Sequence, residues 1–137
     1  MSDQPVSLPA TQPKWMTWTG YVLTALVTLF MIMDFVMKFM NLPIVISTTE
    51  SLGWSASKVM LLGAILLPCT VLYVIPQTSM LGAILITGYL GGAVATHIRI
   101  DSPLFSHILF GVYLGVMMWG GLWLREPRLR ALFPLKR

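Results

Sequence analysis

Asp34 and Lys38 stand four residues apart, a spacing that puts a carboxylate and an ammonium on one helix face where they can pair. Thr24 and Thr28 fall on the same side of a helical wheel, so the four side chains form one polar stripe about 120° wide along an otherwise apolar stretch. Charged groups inside such a stretch are costly in lipid and tend to face a helix bundle or a water-filled cavity. Lys38, near the helix end, has the reach to extend its ammonium to the surface; the shorter Asp34 does not. His97, Arg99, Asp101 and His107 gather within one short segment, and Glu50 lies in another. Carboxylate, imidazole and guanidinium groups meeting at a membrane boundary can move protons or hold an anionic or carbonyl headgroup. In that arrangement Lys38 and Arg99 donate hydrogen bonds to the headgroup, and Asp34 and His97 handle protons. The same residues also fit an interfacial ion-pair network that closes one end of a bundle. Asp34, Lys38, Glu50, His97, Arg99 and His107 are therefore the candidate ligand-binding residues, with no catalytic residue singled out.

The elements that must position these groups follow from composition. The chain has 137 residues, 56% hydrophobic and 10% charged, with a mean hydropathy of +0.79. Soluble domains carry roughly 25% charged residues. This one has too few to cover a water-facing surface, which excludes an ordinary cytosolic enzyme and a basic nucleic-acid module. Residues 15–33, 59–98 and 102–124 carry no Asp, Glu, Lys or Arg. The run 59–98 is long enough for two spans, divided where Ile-Pro-Gln-Thr-Ser at 75–79 reads as a tight turn. The expectation is an all-α integral membrane four-helix bundle, with helices at about 16–40, 57–75, 79–97 and 104–124. Residues 1–14 read as a flexible polar tail, 15–126 as the transmembrane domain and 127–137 as a basic C-terminal tail. The polar start, rich in proline, lacks the pattern of a cleaved signal peptide.

Four spans place both termini on one side. That side holds Lys14, Arg125, Arg128, Arg130, Lys136 and Arg137 against Asp3 and Glu126, and so carries the whole net charge of +4. The other side, with Lys38, Lys58 and Arg99 against Asp34, Glu50 and Asp101, is balanced. The positive-inside rule puts the termini in the cytoplasm. Anionic lipid headgroups account for the basic tail without a nucleic-acid partner. Trp15, Trp18, Tyr73, Trp119 and Trp123 are expected at the cytoplasmic boundary and Trp54 at the outer one.

Small residues recur at helical spacing. Gly88 and Gly92 share one face, and so do Gly111 and Gly115. Such faces let helix backbones approach closely; the alternative is that the glycines make room for a flat ligand. Pro68 interrupts the second span. Cys69, the single cysteine, excludes an internal disulfide and a CxxC pair and is expected to pack as a small apolar residue. His97 and His107 match no zinc spacing, so no metal site is expected.

The stretch GYLGGAVATHIR at 88–99, the short loop after it, His107 and the run MWGGLWLREPRLRALFP resemble the DoxX-like family of small membrane proteins. Asp34 with Lys38, the segment ESLGWS at 50–55 and the LLP…IPQT pattern fit the same family. The resemblance extends over about 15–134 and implies a four-helix bundle, usually in the bacterial cytoplasmic (inner) membrane. The wider family includes a subunit of a thiosulfate:quinone oxidoreductase, and other members are linked to membrane redox and thiol homeostasis. The one-sided polar cluster over an apolar bundle makes the leading expectation a membrane subunit or accessory protein that binds a quinone-like or other amphipathic small molecule near the outer face, with quinone as the cofactor the resemblance suggests. A small homodimeric transporter or carrier and a ligand-free structural partner of a larger membrane complex are the alternatives. The lipid bilayer is the one partner common to all three.

Overall fold

The computed structural model describes residues 13–132. The tail expected at 1–14 lies outside them except for Pro13 and Lys14, and so do Lys136 and Arg137. Among the described residues six α-helices follow in order: α1 Lys14–Phe39, α2 Pro43–Ser51, α3 Lys58–Val74, α4 Ser79–Arg99, α5 Phe110–Arg125 and α6 Pro127–Leu132. A 3-10 turn at Pro76–Thr78 joins α3 to α4, and a π turn at Leu104–Ile108 precedes α5. The described residues contain no strand.

α1 packs against α3 and α5, and α4 packs against the same two. Among the described residues the diagonal pairs, α1 with α4 and α3 with α5, make no close backbone contact. The four long helices therefore form a ring around a shared core of Val27, Met31, Leu66, Tyr73, Ile86, Met118 and Leu122, all essentially inaccessible. The outside of the ring is apolar as well: Leu26, Leu29, Leu61, Ile84 and Val116 are exposed. Helices that are apolar all round belong in hydrocarbon, where intrahelical hydrogen bonds satisfy every backbone group. Lys14–Phe39, Pro76–Arg99 and Leu104–Arg125 are each long and apolar enough to cross a membrane. α3, at 17 residues, is apolar but shorter.

One end of the ring is tightly packed. At the α3–α4 turn the Thr78 hydroxyl donates to the Leu72 carbonyl at 2.7 Å and the Ser79 hydroxyl to the Tyr73 carbonyl at 2.9 Å. These bonds satisfy carbonyls that the end of α3 leaves free. Gly82 lies directly against the backbone of Tyr73, so the two arms of the hairpin touch with no side chain between them. A Cβ on Gly20 would stand 2.8 Å from the Gly121 carbonyl oxygen, so α1 and α5 also meet backbone to backbone here. Arg125 donates to the Thr24 hydroxyl at 3.0 Å and lies 5.6 Å from the Tyr21 ring centre. After α5, Arg130 reaches back to the carbonyls of Trp123 and Leu124 at 2.8 and 2.9 Å, a cationic cap at a helix C-terminus.

Several expectations are corrected. Residues 41–57 are not a plain loop, because α2 occupies Pro43–Ser51. Pro43 opens it at a first-turn position, where its missing N–H costs nothing. Thr48 and Thr49 donate to the carbonyls of Ile44 and Val45, so the hydroxyls that made the segment look loop-like are bonded within the helix. The stretch expected as a basic tail begins with α6. Tyr73, at the end of α3, is fully buried in the core. The Trp119 indole N–H donates to Thr87 at 2.7 Å, which ties α5 to the middle of α4 instead of to a headgroup layer.

Candidate ligand cavity

At the other end α1 and α4 part across the diagonal, and a cavity of about 560 Å³ opens between them. α2 and the start of α5 complete its wall. Positive backbone angles set α2 across this end: Asn41 (φ 53) reverses the chain after α1, and Gly53 (φ 90) does so after α2. The left-handed region is costly for residues with a Cβ, so Gly at 53 fits the turn that follows α2. α2 turns Val45, Thr49 and Leu52 toward the cavity.

Asp34 and Lys38 both line the cavity, and their side chains pair at 2.6 Å. Lys38 is the more enclosed of the two, its side chain 12% exposed against 28% for Asp34. It does not reach out to the surface. Its stem passes over Gly63 of α3, where a Cβ would stand 3.2 Å from the Lys38 Cβ, and its ammonium turns back to the carboxylate. Glycine at 63 thus makes the room that an inward lysine needs.

His97 from the last turn of α4 and His107 from the π turn also line the cavity. Their rings meet edge to face, 5.7 Å between centres. Nδ1 of His97 is 3.0 Å from the Ser102 hydroxyl, and Nδ1 of His107 is 2.7 Å from that of Ser106. Each ring is therefore held through one nitrogen, and its orientation is fixed by a serine.

Of the six candidate residues, the cavity wall brings together Asp34, Lys38, His97 and His107. Arg99 and Glu50 stand outside it. Arg99 donates to the Leu52 carbonyl at 2.9 Å and lies against Gly53, so it fastens the end of α2 to the end of α4. Glu50 is exposed on the far side of α2. Helical periodicity explains the split: on α2, Thr48, Thr49 and Leu52 face inward, and position 50 turns away.

The glycines divide in the same way. Gly111 does serve helix contact, since a Cβ there would meet Val94 at 2.9 Å and the Leu90 carbonyl at 3.2 Å. Gly88 and Gly92 do not: a Cβ on either would find nothing within 4 Å, and both line the cavity. For this pair the reading as helix contact within the bundle is corrected, because no neighbouring helix stands opposite either glycine. Beside this bare strip of α4 stand Tyr89 and the tilted ring pair Phe30–Phe110, 5.1 Å between centres. Sequence reasoning missed the aromatic residues and the whole α2 contribution. The spacing of Gly88 and Gly92 was a signal, but a strip of glycines reads the same whether a helix or a void lies opposite.

The sequence model of the DoxX-like family matches residues 22–121. The chain belongs to the DoxX-like family. No curated protein and no solved structure matches it. The DoxX-like match runs from the first turns of α1 to the last of α5 and takes in every residue of the cavity wall. With three helices able to cross a bilayer, this DoxX-like protein is an integral membrane protein.

Proposed function

We propose that this protein binds a quinone-like or similarly amphipathic small molecule in the cavity between α1 and α4. The headgroup would sit beside Asp34, Lys38 and His97, with the ring on the bare strip of Gly88 and Gly92. The single observation that carries the reading is an ion pair inside a large, mainly apolar cavity whose wall includes two unopposed glycines. Its volume falls in the range of about 300–1,000 Å³ typical of small-molecule sites. Apolar walls with a few convergent polar groups are the usual chemistry of such sites.

In this reading α3 is a fourth span, its 17 residues reaching nearly across a hydrocarbon core about 30 Å thick. Both termini are cytoplasmic, which places the cavity end outward; the basic residues Arg125, Arg128 and Arg130 at the α5–α6 end support that orientation. The role is that of a membrane subunit or accessory protein linked to redox chemistry in a bacterial inner membrane. Family resemblance supports that part.

The test is equilibrium binding of a short-chain quinone to purified protein in nanodiscs. Saturable binding is expected, weakened by about tenfold or more in Gly92→Leu, whose side chain would fill the cavity. A signal that rises linearly with quinone and is equal in wild type and variant, as for partition into lipid, would contradict the proposal.

A further inference from the structure

We infer that the cavity selects an uncharged headgroup with a hydrogen-bonding oxygen and rejects amphiphiles with a charged one. The inference rests on the amphiphile-binding reading above and narrows its ligand class. Four cationic or ionisable groups were candidates to hold an anion: Lys38, Arg99, His97 and His107. Lys38 is already neutralised by Asp34 at 2.6 Å within the same wall. Arg99 is committed to the Leu52 carbonyl and lies outside the wall. His97 and His107 are each engaged with a serine through Nδ1. Of Asp, Glu, Lys and Arg, the cavity wall holds Asp34 and Lys38 alone, and their opposite charges cancel.

A charged headgroup entering such a site would lose its hydration without gaining a free counterion, a penalty that low-dielectric surroundings make severe. An uncharged group faces no such penalty and finds complementary partners. Lys38 takes Oδ2 of Asp34, which leaves Oδ1 able to accept and the other ammonium protons able to donate. A hydroxyl or a hydroxyl–carbonyl pair can donate to the carboxylate and accept from the ammonium at once, joining the ion pair without breaking it. Hydroxylated and quinol-type heads can engage both partners, and a quinone carbonyl accepts from the ammonium alone; carboxylates, sulfates and quaternary ammonium heads carry a charge that the pair does not balance.

The experiment uses the full chain in phosphatidylcholine nanodiscs, labelled with a diazirine-bearing monoacylglycerol. Displacement is compared for three amphiphiles of equal chain length: a monoacylglycerol, an alkyl sulfate and an alkyltrimethylammonium. Each is normalised to its measured partition into protein-free discs. For wild type, the neutral competitor is expected to displace the probe at concentrations about tenfold or more below either charged one. Asp34→Asn removes the counter-charge from Lys38 and is expected to raise competition by the alkyl sulfate. Lys38→Met leaves Asp34 alone and is expected to raise competition by the cation instead. Equal or better displacement of wild-type label by the sulfate or the cation would overturn the inference while leaving amphiphile binding intact. Label that no amphiphile displaces would overturn the binding reading and this inference with it. The wild-type comparison decides even if a variant fails to fold, and the charge-exchanged double variant Asp34→Lys with Lys38→Asp is expected to keep the neutral preference.

Discussion

The two ends of the helix ring use the same residue type to opposite effect. Where α3 turns into α4 and α1 meets α5, Gly82, Gly20 and Gly121 lie against the backbone of a neighbouring helix. Where α2 crosses the ring, Gly88 and Gly92 lie against nothing and border a cavity of about 560 Å³. The polar groups divide likewise. Arg125 at the packed end bonds to Thr24 across the helix pair and stacks near Tyr21. Asp34 and Lys38 at the open end satisfy each other on one helix and leave the facing helix α4 uncommitted. A smaller recess of about 250 Å³ beside the α3–α4 turn holds Glu126 and Arg128, already paired at 3.1 Å. The contrast teaches that a small residue or an ion pair in a membrane helix is structural or ligand-facing according to what stands opposite it, and its type alone does not decide.

Substitutions can break this contrast or sharpen it. The largest effect is expected from Gly82→Leu, whose side chain has no room against Tyr73. Overpacking of this kind costs about 1–3 kcal/mol, and backbone contact sets the upper end. A thermal denaturation series in detergent should show it as the least stable variant. If it melts like wild type, the α3–α4 contact is not as close as described. Gly88→Leu comes next and is expected to act on the ligand and not on the fold. Its melting temperature should stay near wild type while quinone binding falls by about tenfold or more, the loss a filled site implies. A large loss of stability would place a helix, not a cavity, opposite Gly88.

Arg125→Ala is expected to cost about 1 kcal/mol, the worth of one interhelical hydrogen bond, with binding at the open end unchanged. Chemical denaturation together with the quinone assay separates the two outcomes. The smallest effect on stability is expected from Arg99→Ala, which cuts the bond to Leu52 at the end of α2. Hydrogen exchange should quicken across residues 43–53 with little change in α1 or α5. Unchanged exchange there would mean that α2 is held by its apolar contacts alone.

Much of the long-helix layout was legible in the sequence, because charge-free runs of span length and a proline-marked turn leave few other readings. The observed α1, α3, α4 and α5 lie close to the stretches read from those runs. α2 was not legible: a short helix with two serines and two threonines in its second half matches the composition of a loop, and only the hydroxyl-to-carbonyl bonds and the cavity it covers reveal it. For the site, the polar stripe on α1 and the histidines near the end of α4 were readable as residues that could meet. The separate fate of Arg99 was not, since a guanidinium at a helix end can reach a ligand or a carbonyl with equal ease. Trp119 looked like a boundary aromatic because its position between apolar residues carries no information on which neighbour faces it.

The most direct test is a map of where a photoreactive quinone attaches to the protein in nanodiscs. Labelled peptides should concentrate on residues 30–38 of α1 and 88–97 of α4, and an unlabelled quinone should displace that label. Attachment spread over the outward side chains Leu29, Ile84 and Val116, or centred near Gly20 and Gly82, would contradict a ligand site between α1 and α4.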